Sequence, residues 1–167
     1  MIFLEGGGAC YTQESCIQRS KNHLGSSNYW PKTFNSQNTI LSNDPITNPD
    51  FYSGHHVYAP YCNGDVWSGQ RSVPSTNPDT WGFIFGGHLV FESIINYLAY
   101  DMKTASILDA QYILLLGTSA GGIGTFGNIN WLYNQYKQVG KYADNVTIKA
   151  APIGGWFLPG IHVYIHL

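Results

Sequence analysis

Ser119 sits inside a Gly-x-Ser-x-Gly frame, Gly117-Thr-Ser-Ala-Gly121. An apolar run, Tyr112-Ile-Leu-Leu-Leu116, leads into it, and a helix-period pattern leads out of it. In that context the frame predicts a nucleophilic serine. A strand that turns straight into a helix holds its junction residue in a strained backbone. Only residues without bulk fit two positions before and two after. The serine Oγ then projects beyond the carboxyl edge of the sheet. The following helix aims its unpaired N–H groups and positive end at the same spot, where a tetrahedral intermediate gathers negative charge. Without the flanking strand and helix, the same five residues would be an ordinary glycine-rich turn.

Ester cleavage by a serine needs backbone donors around the oxyanion. The N–H of Ala120, the next residue, is one. Glu5-Gly-Gly-Gly8 follows the strand-like Met1-Ile-Phe-Leu4 and is the candidate loop for the others, because glycine lets the backbone itself approach the substrate. The serine also needs a histidine base oriented by an acid, in the chain order serine, acid, histidine. After Ser119 the only acid is Asp144, and the only histidines are His162 and His166. Asp144 precedes the last predicted strand, whereas the acid should follow one, so Asp144 and His162 are not expected to pair. His55 and His56 abut a strand start and face opposite sides of it. His88 begins a helix. No Cys-x-x-Cys pair occurs, and neither a metal nor any other cofactor is implied.

The elements that would position these residues read as follows. Strands are expected at Met1–Leu4, His56–Pro60, Tyr112–Leu116 and Asn145–Ala151. Short helical stretches fit 13–24, and full helices fit 88–102 and 121–138. The second of these would present Ile123, Phe126, Ile129, Leu132, Tyr133 and Tyr136 to the core. Strands alternating with helices predict an α/β fold with a mostly parallel sheet and helices on both faces. Reactive groups in such sheets gather beyond the carboxyl ends of the strands. Gly6–Gly8, Asp65–Gly69, Ser119 and Gly154–Trp156 all follow predicted strands, so four loops converge on one edge. Asp65 and Trp67 are accordingly expected to bind substrate, and Trp156 to wall an acyl or sugar site. The weakly periodic, Asn/Ser/Pro-rich stretch 11–54 is long enough to suggest a functional role.

The chain has 167 residues, enough for one domain with a sizeable core at 44% hydrophobic content. Its net charge of −2 and lack of a Lys/Arg run argue against nucleic acid and anionic membrane surfaces. No apolar run is long enough to span a bilayer. Cys10 and Cys16 are close enough to close a small loop, which would leave Cys62 over. That possible disulfide, the low charge of 11% and the Tyr/Asn-rich surface point to an extracellular location, although no signal peptide is visible. Asn145-Val-Thr147 is a glycosylation sequon.

Four segments together resemble the pectin acetylesterase/Notum family: Leu4-Glu-Gly-Gly-Gly-Ala-Cys10, Pro60-Tyr-Cys-Asn-Gly-Asp-Val-Trp-Ser-Gly69, Gly117-Thr-Ser-Ala-Gly-Gly122 and Gly155-Trp-Phe-Leu158. The resemblance covers about residues 2–158; the tail 159–167 departs from it. It implies an extracellular α/β-hydrolase that cleaves carboxylic esters on an acylated polysaccharide or an acylated protein. It also implies Ser119 as nucleophile, Gly7, Gly8 and Ala120 as oxyanion donors, and a Cys10–Cys16 disulfide. Gly8-Ala9 stands where the family usually has a bulky aromatic, and Ile153 where it often has an aspartate. The family's catalytic Asp and His lie downstream of the last motif. The expectation is therefore a single incomplete α/β-hydrolase domain over 1–167, competent as an esterase in a longer chain. The alternative is a catalytically inactive protein that binds a carbohydrate or acyl ligand.

Overall fold

The computed structural model describes residues 1–37, 39–73 and 80–156. The tail 159–167, with His162 and His166, lies outside the described residues, as do Phe157 and Leu158 of the last motif. Four strands, β1 (Ile2–Leu4), β2 (Val57–Ala59), β3 (Tyr112–Thr118) and β4 (Thr147–Ile153), form one parallel sheet. Its order is β2-β1-β3-β4. Among the described residues three α-helices accompany it: α1 (Gln13–Arg19), α2 (Gly87–Asn96) and α3 (Ala120–Val139). The fold is thus α/β, with every described strand pair parallel.

The sheet is covered on both sides because β3 is apolar on both sides. Leu115 and Leu116 are consecutive, so they face opposite ways, and both are 0% exposed. On one face Ile2, Leu4, Ile113 and Leu115 join Phe91 and Ile95 of α2 and Leu132 and Tyr136 of α3 in a single core. Burying each of the larger of these side chains stabilises the fold by about 1.5–3 kcal/mol. On the other face Phe3, Tyr58 and Leu116 share a register row. Tyr58 stacks on Phe3 at 6.0 Å and on Phe34 at 3.8 Å, so the long polar segment covers this side through Phe34. His56 anchors the same segment, with its ring nitrogens 2.9 Å from the Leu41 carbonyl and 2.8 Å from the Phe51 carbonyl.

Two sequence expectations shift. β4 starts at Thr147, because the N–H groups of Asn145 and Val146 turn back to the Tyr142 carbonyl at 2.9 and 2.7 Å. On α3, Phe126 and Tyr133 are exposed at 48% and 45%. The buried face runs through Gly121, Thr125, Asn128, Leu132 and Tyr136 instead. Its first turns carry small and polar residues because a Cβ on Gly121 or Gly124 would meet the Leu4 oxygen or the Trp67 side chain, whereas Leu132 and Tyr136 fill the core as expected.

Candidate active site

Ser119 is the single residue between β3 and α3, with φ 55° and ψ −118°. A non-glycine residue there costs about 1–3 kcal/mol and persists only where its surroundings fix it. They do so here. The Ser119 N–H donates to the Ile153 carbonyl at 2.9 Å, and the Ser119 carbonyl accepts the Ile123 N–H at 3.1 Å. The flanking glycines are demanded by backbone: a Cβ on Gly117 would lie 2.3 Å from the Gly121 oxygen, and one on Gly121 would lie 2.1 Å from the Leu4 oxygen. No side chain caps α3. Among the described residues the N–H groups of Ala120 and Gly121 therefore have no acceptor.

The glycine loop lies against this junction. A Cβ on Gly6 would come within 2.4 Å of the Thr118 oxygen and 3.1 Å of Ser119 Cβ. Gly7 and Gly8 have φ of 146° and 68°, conformations that side chains rarely permit. A Cβ on Gly8 would meet nothing within 4 Å, so the site is open at this point. Arg19 holds the far side of the loop, donating from Nη1 to the Gly7 carbonyl at 2.9 Å and from Nη2 to the Gly8 carbonyl at 3.4 Å. No described peptide is cis. In a trans peptide the N–H points opposite to the C=O. Arg19 thus turns the N–H groups of Gly8 and Ala9 away from itself. The Cys10–Cys16 disulfide ties α1, and with it Arg19, to the end of the same loop. Cys62 is unpaired, and burial pushes its thiol pKa up.

Asp65 and Trp67 lie beneath this loop, not on its open side. Trp67 is 0% exposed, stacked 5.4 Å from Tyr61, with Gly124 of α3 against its side chain. Asp65 is 4% exposed. Its carboxylate accepts the N–H groups of Trp67 at 3.1 Å, Gly69 at 3.2 Å and Gly87 at 2.6 Å. Burial nevertheless raises its pKa. Their side chains are committed to the protein itself, and burial leaves Trp67 no face for a ligand. Trp156, by contrast, is 78% exposed and packs edge-on against Phe126 at 6.1 Å. Gly155 sets it beside α3, since a Cβ there would lie 2.5 Å from the Gly122 carbonyl carbon.

Three of the described histidines are placed elsewhere: His56 as above, His55 beside it at the amino end of β2, and His88 through Nδ1 to the Asn128 amide oxygen at 2.6 Å. Asp144 lies in the turn before β4. Tyr112 pairs with Thr147 and Thr118 with Ile153, so Asp144 is about a full strand length, roughly 20 Å, from Ser119. This rules it out as the orienting acid. A cleft of about 560 Å³ opens at that opposite edge, between Met1, Val57, Ala110 and Tyr112, away from the serine. Sequence reasoning missed Arg19 and Asn128. Arg19 left a signal, being one of only two arginines and one turn beyond Cys16. Asn128 left none.

The fold agrees with the comparisons to known proteins. The pectinacetylesterase family model matches residues 1–165. The chain belongs to the pectinacetylesterase family. It is 32% identical over 160 residues to palmitoleoyl-protein carboxylesterase notum1a of Danio rerio, which spans 95% of this chain and 30% of that protein. Identity to the Homo sapiens palmitoleoyl-protein carboxylesterase NOTUM is also 32%, with the same coverage. Among solved structures, the Wnt deacylase Notum from Drosophila superposes with a TM-score of 0.79 at 32% identity, covering 94% of this chain and 44% of that one. The chain therefore spans about a third of the length of these curated relatives. In this chain the glycine loop, the strained serine and the short disulfide lie together at one edge of the sheet.

Proposed function

We propose that the protein is an extracellular carboxylic ester hydrolase with Ser119 as its nucleophile. The observation that carries the reading is the Ser119 backbone, strained at φ 55° with the glycine loop against its Cβ and unpaired N–H groups at the start of α3. In the reaction Ser119 Oγ attacks the ester carbonyl. The oxyanion forms where the N–H of Ala120 and those of the loop, Gly7 and Gly8 foremost, can meet it. The alcohol leaves, and water hydrolyses the acyl-serine. The histidine and acid that activate the serine come from outside the described residues. The substrate is an acylated polysaccharide or an acylated protein. The open face at Gly8 and the exposed Trp156–Phe126 pair offer an apolar and stacking surface for its acyl or sugar part.

A fluorophosphonate probe tests this directly in the full native chain. The expected result is one covalent adduct on Ser119, lost in Ser119→Ala, together with p-nitrophenyl acetate hydrolysis that Ser119→Ala abolishes. Absence of labelling in the folded full chain would refute the nucleophile and favour the ligand-binding alternative.

A further inference from the structure

Val66 and Trp67 are consecutive non-glycine residues with φ of 54° and 67°. Trp67 is fully buried, as is Asp65 to within 4%. A doubly left-handed turn in a protein interior is held only by strong local partners, and each can be named. The Asp65 carboxylate takes three backbone N–H groups, as above. Tyr61 Oη accepts the Val66 N–H at 2.7 Å. The Asn128 amide donates to the Trp67 carbonyl at 3.0 Å and to the Gly124 carbonyl at 2.8 Å, and its oxygen faces His88. Gly124 and Gly87 leave room for the turn: a Cβ on Gly124 would lie 2.6 Å from Trp67 Cβ, and one on Gly87 would lie 2.7 Å from Trp67 Cα.

All of this fixes one outward-reaching atom. Trp67 Nε1–H donates to the Glu5 carbonyl at 3.1 Å. Glu5 is the last residue before the three glycines, and its carbonyl sets the plane of the Glu5–Gly6 peptide. Gly6 is the residue lying against Ser119. The loop is therefore gripped at both ends, by Trp67 at the Glu5 carbonyl and by Arg19 at the carbonyls of Gly7 and Gly8. Arg19 also stands 5.0 Å over the Tyr61 ring, which stacks on Trp67, so the two grips share one foundation.

We infer that Trp67 is a positioning residue for the oxyanion loop, its indole N–H setting the Glu5–Gly6 peptide while Asp65 and Asn128 hold the indole in place. This rests on Ser119 being the nucleophile. It gives Asp65 and Trp67 a role in catalysis without contact with substrate.

The test replaces Trp67 in the full native chain by 3-benzothienylalanine, which keeps the bicyclic shape but has sulfur in place of the N–H. Trp67→Phe is the second variant. Three quantities are measured: the fluorophosphonate labelling rate at Ser119, kcat and KM for p-nitrophenyl acetate, and the urea midpoint. Removing an oxyanion donor costs about 10²–10³-fold, so displacing the loop without removing a donor is expected to slow labelling and kcat by about 10-fold. KM should stay within about 2-fold, because ground-state binding is not what the loop serves. A sulfur variant that labels as fast as the parent, whatever its urea midpoint, overturns the inference and leaves the nucleophile intact. A parent chain that does not label overturns the Ser119 reading, and the inference with it.

Discussion

Gly121→Ala sets two known effects against each other, and the structure decides which wins. Within a helix, glycine to alanine normally stabilises by about 1 kcal/mol, since alanine loses less backbone entropy. Gly127 of α3 is the control: a Cβ there meets nothing within 4 Å, so Gly127→Ala should gain about that amount. At Gly121 the new Cβ would lie 2.1 Å from the Leu4 oxygen, 2.7 Å from the Leu4 carbonyl carbon and 2.8 Å from the Glu5 oxygen. All three atoms are backbone at the end of β1, so no side chain can rotate away. Relief requires α3 and β1 to separate by about 1 Å, at the typical overpacking cost of about 1–3 kcal/mol or more. The clash outweighs the propensity gain, and a net loss of about 1–2 kcal/mol is expected. The same separation moves Ser119 relative to the glycine loop, and misplacement on that scale costs about 10²-fold in rate. Urea unfolding of the two variants and the parent, with fluorophosphonate labelling rates on each, measures both terms. Gly121→Ala at or above parental stability would refute the close-packing argument. So would Gly127→Ala falling as far as Gly121→Ala, because the contrast between the two sites is the point.

Two further outcomes follow from the loop's supports. Replacing Cys10 and Cys16 together by serine opens a loop of sequence separation 6, worth about 2 kcal/mol by chain entropy, and frees α1 so that Arg19 loosens its hold on Gly7. A lower urea midpoint and slower Ser119 labelling are both expected, and unchanged labelling would detach Arg19 from the site. Asp65 has a raised pKa, so the folded state holds its proton more tightly than the unfolded state. Its contribution to stability is complete below the ordinary aspartate pKa and is lost as pH rises through the raised value. Urea midpoints across the acidic range should therefore fall more steeply in the parent than in Asp65→Asn, and parallel profiles would show that Asp65 does not titrate in this way.

The parts of the fold carried by periodicity and turn chemistry were legible in the sequence. The apolar run before Ser119 is a strand buried on both faces, and the Gly-x-Ser-x-Gly frame marks a junction where backbone meets backbone at 2.1–2.3 Å of a would-be Cβ. The same frame pointed to Ser119 and to the loop at Gly6–Gly8. The buried side of α3 was legible only in its later turns, where Leu132 and Tyr136 lie in the core as expected, because large apolar residues are the usual marker of a core face. In the earlier turns the core face is Gly121, Gly124, Thr125 and Asn128, close to β1 and Trp67, while Phe126 faces outward beside Trp156. The same blindness affected Asp65 and Trp67. Strand order put them on the correct edge of the sheet, but order says nothing of depth. A carboxylate that binds three N–H groups of its own chain reads, in sequence, like one available to a ligand.

Backbone strain explains why these residues belong together. Four described non-glycine residues have positive φ: Val66, Trp67, Trp81 and Ser119. Three of them meet around the glycine loop. At about 1–3 kcal/mol each they cost about 3–9 kcal/mol, comparable with the whole net stability of a domain at about 5–15 kcal/mol. A fold bears such a cost only where local contacts offset it. The buried Asp65 carboxylate, the Asn128 amide and the paired glycines of α3 are those contacts. None of them is needed to form a parallel sheet or to bury Leu115. Their concentration under one loop is explained by the geometry they enforce, which sets a glycine backbone against a serine that cannot relax away from it.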